Sequence, residues 1–187
     1  MSALMEEILA HNRAFVAEGT YAKYDTTKIP NKKLAVVSCM DTRLVELLPA
    51  AMGLKNGDIK LIKNAGGILT HPFDSVMRSL LIAIYMLQVQ EVAVIGHYEC
   101  GVKGLDPEAM IEKMLARGVQ RKDVDLLKYC GLDPQAWLKG FTDDKEAVKA
   151  SVDMIRKHPL MPNDVPVYGF IIDPKTGRLD TVDTVVT

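Results

Sequence analysis

Apolar positions along the chain fall into two rhythms. Between residues 2 and 18, Leu4, Ile8, Ala14, Phe15 and Ala17 recur at roughly helical spacing, which predicts an amphipathic helix. Residues 22–33 are polar, contain Pro30 and read as a connecting loop. The run Leu34, Ala35, Val36, Val37 is short and wholly apolar, the pattern of a strand buried on both faces, and it ends at Ser38 and Cys39. A helix follows over 44–52, stopped by Gly53, and a second strand over 59–62 is entered from the turn Asn56, Gly57, Asp58. Asn64, Ala65, Gly66 and Gly67 form a loop. Asp74 is placed to cap a helix over 74–88 whose apolar face holds Val76, Leu80, Leu81, Ile84 and Leu87. A third strand over 91–96 ends at His97. Residues 106–157 are mostly helical in pattern, with breaks at Gly118, at 131–134 and at Gly140. A late strand over 165–172 precedes the turn Lys175, Thr176, Gly177, and 178–185 return as a short edge strand. Alternation of strand and helix predicts the α/β class: a central, mostly parallel β-sheet flanked by helices, with a late edge strand.

The length of 187 residues favours one domain over 1–187, and 48% apolar residues suffice for its core. Lys+Arg 23 against Asp+Glu 24 leaves no basic excess, so no nucleic-acid partner is expected. Glu6 and Glu7 interrupt the stretch where a secretory signal would need apolar residues. The longest fully apolar run, 80–87, is far short of the ~20 residues that span a bilayer. A soluble, cytoplasmic protein with no membrane partner is expected. Its three cysteines, Cys39, Cys100 and Cys130, are an odd number, and free thiols or metal ligands suit a reducing compartment better than disulfides.

Cys39 lies at one strand end, and His97 with Cys100 at another. The carboxyl ends of strands in open parallel sheets form a ligand crevice, so these distant segments are able to converge there. Two thiolates and an imidazole favour Zn²⁺ over hard cations, and three protein ligands leave the fourth tetrahedral position to water. Asp41 and Arg43 follow Cys39 closely. A guanidinium favours the ionised carboxylate and can hold it in a bidentate pair, off the metal. Released, Asp41 is short enough to take the fourth position itself in a closed state. Each residue alone has a plainer reading: a buried thiol, a buried histidine, a solvated ion pair. Packing explains their joint placement at two strand ends poorly.

SCMDTR at 38–43, KNAGG at 63–67, RSL at 78–80 and GHYECG at 96–101, in this order, resemble the β-class carbonic anhydrases over roughly residues 34–105. The resemblance implies one zinc per chain held by Cys39, His97 and Cys100, with Asp41 and Arg43 as the catalytic pair. It implies reversible hydration of carbon dioxide to bicarbonate and a proton by zinc-bound hydroxide, and a homodimer or homotetramer, like the compact bacterial and archaeal members. The N-terminal helix, whose apolar face needs cover, is expected to pack on a partner subunit. Many members have Ser at the place of Thr42 and Thr-Asp at the place of Tyr98 and Glu99. Some use a glutamine from a neighbouring subunit, for which no counterpart is placed here.

Asn64, Ala65, Gly66 and Gly67 line the substrate pocket in one reading and make a plain strand–helix turn in another. His71 has the chemistry of a proton shuttle, although a surface position before Pro72 is preferred. His11 and His158 fall in helical segments without a visible partner. Cys130 is read as a buried or partly exposed thiol without catalytic duty. Three other functions stay open: a zinc hydrolase of carbonyl sulfide or carbon disulfide, a zinc-binding relative with little turnover, and a metal-free Cys–His–Asp hydrolase.

Overall fold

The computed structural model describes residues 1–183. Five strands form one sheet in the order β2-β1-β3-β4-β5: β1 (Leu34–Cys39), β2 (Ile59–Asn64), β3 (Glu91–His97), β4 (Val167–Ile172) and β5 (Leu179–Asp183). The first four are parallel, and β5 runs antiparallel to β4. The expected α/β sheet with its late edge strand is present. Expected residues 184 and 185 of that last strand lie outside the described residues.

Seven helices accompany the sheet: α1 (Ala3–Ala17), α2 (Leu44–Ala51), α3 (Ser75–Leu87), α4 (Pro107–Ala116), α5 (Arg121–Tyr129), α6 (Pro134–Leu138) and α7 (Asp144–Arg156). Successive strand side chains alternate between faces, so each strand serves two cores. Ala35, Val37, Val92 and Val94 pack against Val76, Met77, Leu80 and Ile84 of α3 and against Val148, Val152 and Ile155 of α7. Val36, Ala93 and Ile95 face the other way, onto Leu44 and Leu48 of α2. Burial on both sides is why β1, β3 and β4 are mostly apolar, whereas β2 and β5 at the sheet edges alternate with polar residues.

Asp74 caps α3 as expected, its Oδ1 accepting from the Met77 amide at 2.9 Å. The buried face of α3 differs in detail. Met77 and Ala83 are buried, whereas Leu81 and Leu87 are half-buried. The expected break at 131–134 separates α5 from α6: Asp133 caps α6 and Pro134 occupies its first turn, where a missing amide donor costs nothing. Among the described residues no helix is long and apolar enough to cross a membrane.

The order of connection positions the site. From β1 the chain passes through α2 to β2 on one side, then returns through α3 to β3 on the other. The connections leaving β1 and β3 therefore diverge to opposite faces. The crevice they open at the carboxyl ends is where such sheets bind ligands.

Candidate metal centre

Cys39 is the last residue of β1 and His97 the last of β3. Pairing of Ser38 with Ile95 sets these ends side by side. The chain then makes a tight turn in which Glu99 adopts a left-handed backbone (φ 56°), and this brings Cys100 back over the strand ends. The Cys39 and Cys100 sulfurs are 3.9 Å apart, and the three candidate ligand atoms all lie within 4.8 Å of one another. Two sulfurs at Zn–S bonds of about 2.3 Å in a tetrahedron would be separated by ~3.8 Å. All three residues are buried.

The imidazole is oriented for coordination. His97 Nδ1 lies 2.9 Å from the Tyr98 carbonyl oxygen, which can only accept, so Nδ1 carries the hydrogen and Nε2 presents its lone pair. Nε2 is buried and has no hydrogen-bond partner. A buried acceptor left unmatched is costly, and a cation between the two sulfurs would satisfy it. The S, S, N set is of the soft and borderline kind that suits zinc. Among the described residues no other group of three His, Cys, Asp or Glu side chains converges in this way.

Local electrostatics prepare one thiol more than the other. Burial pushes the Cys39 thiol up, but the adjacent His97 imidazole and hydrogen bonds from the Asp41 and Gly66 amides outweigh it and bring Cys39 down to about 7. Cys100 is pushed up, first by burial and then by its proximity to Cys39. His97 is raised: burial opposes its charge, but the neighbouring Cys39 and the Tyr98 carbonyl favour it more strongly.

Asp41 and Arg43 form the expected bidentate pair. Arg43 Nε donates to Asp41 Oδ1 at 3.0 Å and Nη2 to Oδ2 at 2.8 Å, while the Arg43 amide adds a third bond to Oδ1 at 2.9 Å. The Arg43 side-chain bonds hold the Asp41 carboxyl at about 2, against some desolvation. Asp41 Oδ2 is only 3.8 Å from His97 Nε2, so the carboxylate borders the ligand cluster while turned toward Arg43.

Asn64, Ala65, Gly66 and Gly67 border the same point. A Cβ on Gly67 (φ +65°) would lie 2.6 Å from the Cys39 backbone nitrogen, so this turn docks directly against the end of β1. The Gly66 amide reaches the Cys39 sulfur from there. The turn thus supports a ligand, a role the glycine pattern alone did not reveal. His71 lies on the surface, accepting from the Phe73 amide at 3.0 Å, away from the cluster. Cys130 is exposed rather than buried, at the C-cap of α5. His158 is buried just beyond α7, edge-on to Phe73 with ring centroids 5.3 Å apart.

Tyr98 and Glu99 separate from one another. The Tyr98 hydroxyl donates to Asp180 Oδ2 on β5 at 2.8 Å, away from the thiols. Glu99 instead reaches Arg43: its carbonyl oxygen accepts from Nη2 at 3.1 Å and its carboxylate lies 3.5 Å from Nη1. Sequence reasoning did not anticipate that contact.

A family model described as carbonic anhydrase matches residues 34–179. The Bacillus subtilis protein named "Putative carbonic anhydrase YvdA" is 56% identical over 178 residues, covering 95% of this chain and 90% of its own. A carbon disulfide hydrolase of Acidithiobacillus thiooxidans is 30% identical, over 80% of this chain and 76% of its own. The crystal structure of β-carbonic anhydrase isoform I from Trichomonas vaginalis superposes with a TM-score of 0.88 at 34% identity, covering 98% of this chain and 99% of that one. Sheet order, ligand geometry and these matches agree: the chain belongs to the β-carbonic anhydrase family.

Proposed function

We propose that this protein catalyses the reversible hydration of carbon dioxide to bicarbonate and a proton, with one Zn²⁺ per chain held by Cys39, His97 and Cys100. The observation that carries the reading is the convergence of two sulfurs and an unpartnered imidazole nitrogen beside a carboxylate locked to an arginine. Bound there, zinc supplies Lewis acidity and brings the pKa of a coordinated water from ~15.7 to near 7.

The protein groups do the rest. Asp41 Oδ1 is engaged by two donors of Arg43, the amide and Nε, whereas Oδ2 takes only Nη2. Oδ2 keeps a lone pair for the hydrogen of the attacking water and so aims that water's oxygen at the substrate carbon. Arg43 holds the carboxylate ionised and prevents it from turning into the ligand cluster. The amides of Asp41 and Gly66 steady the Cys39 thiolate, and the Tyr98 carbonyl fixes the His97 tautomer.

Asp41→Ala tests the assignment. Zinc content should stay near one per chain while stopped-flow hydration falls by about 10²-fold or more. Unchanged turnover would remove Asp41 from the mechanism, and metal-replete protein without zinc would reject the centre. The likeness to a carbon disulfide hydrolase supports a second reading, hydrolysis of carbon disulfide or carbonyl sulfide by the same residues. Parallel assays with the three substrates decide between them.

A further inference from the structure

Glu99 stands at an unusual point. It is one of three non-glycine residues with positive φ among the described residues, and the only one at the metal centre. A left-handed backbone costs a residue with a Cβ on the order of 1 kcal/mol, and such conformations persist where the surroundings enforce them. Here the conformation points the Glu99 carbonyl at Arg43 Nη2 (3.1 Å) while its side chain spans two cations. Oε1 accepts from Lys175 Nζ at 2.6 Å, and Oε2 lies 3.5 Å from Arg43 Nη1. Lys175 sits in the β4–β5 turn, which Asp173 fixes by accepting from the Lys175 amide at 2.8 Å and from Thr176 Oγ1 at 2.9 Å. An unbroken polar chain therefore runs from the β4–β5 turn through Glu99 and Arg43 to Asp41.

We propose that Glu99 and Lys175 are positioning residues that hold Arg43 against Asp41 and thereby keep the fourth metal position free of the Asp41 carboxylate. The inference deepens the reading of Cys39, His97 and Cys100 as a zinc site and rests on it. Its logic is geometric. Asp41 takes the Nε and Nη2 edge of the guanidinium, whereas the Glu99 carboxylate faces Nη1 and its carbonyl oxygen shares Nη2, so the two carboxylates face different donors. Glu99 thus fixes the plane in which Arg43 presents its fork. Lys175 neutralises Glu99, so that Glu99 anchors Arg43 rather than drawing it away from Asp41. Glu99 and Lys175 are exposed, with side-chain exposures of 56% and 69%, which limits the effect to a modest bias between two orientations of Asp41.

The test uses the full-length protein and four variants. Solvent exchange of the Arg43 Nε–H, assigned by its loss in Arg43→Lys, is read by NMR. Azide affinity of the cobalt-substituted protein is read from its visible spectrum. Glu99→Ala and Lys175→Ala should each speed Nε–H exchange about fivefold and weaken azide to a similar degree, because Asp41 then competes for the fourth position. Lys175→Arg, which keeps a cation within reach of Glu99, should behave as the unmodified protein does. Exchange rates within twofold across the Glu99 and Lys175 variants, or a Lys175→Arg protein as altered as Lys175→Ala, overturn the proposal. Faster exchange with azide affinity unchanged overturns its second half. Exchange is measured without reference to metal, so an unmodified protein that takes up no cobalt or zinc counts against the metal centre alone, and the contacts to Arg43 are still judged by the exchange rates.

Discussion

The two thiols and the carboxylate at the centre differ in what protons cost them. Asp41, held at about 2, is ionised at every pH at which the protein would work. Burial pushes the Cys100 thiol above its ordinary range, so it holds its proton more firmly than Cys39, which at about 7 is half-way at neutral pH. Metal binding takes both sulfurs as thiolates, so each must lose its proton. The sign follows directly: lowering the pH favours the metal-free, protonated form. Apparent zinc affinity should fall at least tenfold between pH 7 and pH 6, measured by competition against a chelator of known affinity at each pH. An affinity that does not change with pH would mean that the thiols are not ligands. At this scale the sequence was informative where chemistry is intrinsic to the residue type: a Cys, a His and a Cys at strand ends carry their ligand character with them. It was silent on Glu99, whose contact with Arg43 depends on a left-handed backbone and on a lysine 76 positions away.

Among elements, the turn between β2 and α3 bears most on the site. The pattern Asn64, Ala65, Gly66, Gly67 left a pocket wall and a plain turn equally open, because glycines signal freedom without saying what approaches them. The structure supplies the neighbour, the backbone of Ser38 and Cys39 at under 3 Å from a Cβ on Gly67. Gly67→Ala must therefore both strain a positive φ and push on the strand that carries a ligand. A loss of about 2–4 kcal/mol in unfolding free energy is expected, with zinc retention reduced. Gly53→Ala is the control. Its φ is also positive (+64°) but nothing lies within 4 Å of the added carbon, so only the backbone cost of about 1 kcal/mol applies, with zinc retained. Urea midpoints and metal content of the two variants measure the difference. Equal losses would show that the approach to β1 does not matter. The inner strands β1, β3 and β4 were readable because burial on both faces leaves mostly apolar runs. The inward stripe of α3 was less so, since an apolar helix of this kind offers several overlapping faces.

For the whole molecule, the least satisfied element is α1. Its 15 residues include none that is buried, and Leu4, Ile8 and Val16 are 64%, 48% and 55% exposed. Within the chain its packing is mainly with the 3₁₀ turn that follows, through Phe15 and Tyr24, whose ring centroids are 6.1 Å apart. An isolated helix of this length is marginal in water even with favourable residues, so covering its apolar stripe is what would make it stable. Periodicity alone revealed the stripe, but what covers it is not written in one chain's pattern. A second apolar zone lies along the outer edge of the sheet, where Leu61 of β2 and Ile82, Tyr85 and Met86 of α3 are exposed. We propose that α1 associates with a second copy of the chain, which would bury the stripe and account for its apolar character. Light scattering of the full chain at micromolar concentration should give a dimer or a higher even assembly, and its melting temperature should rise with protein concentration. Removal of residues 1–18 should lower the mass to that of a monomer and abolish the concentration dependence. A full-length monomer under these conditions would mean that α1 finds its cover elsewhere or does without it.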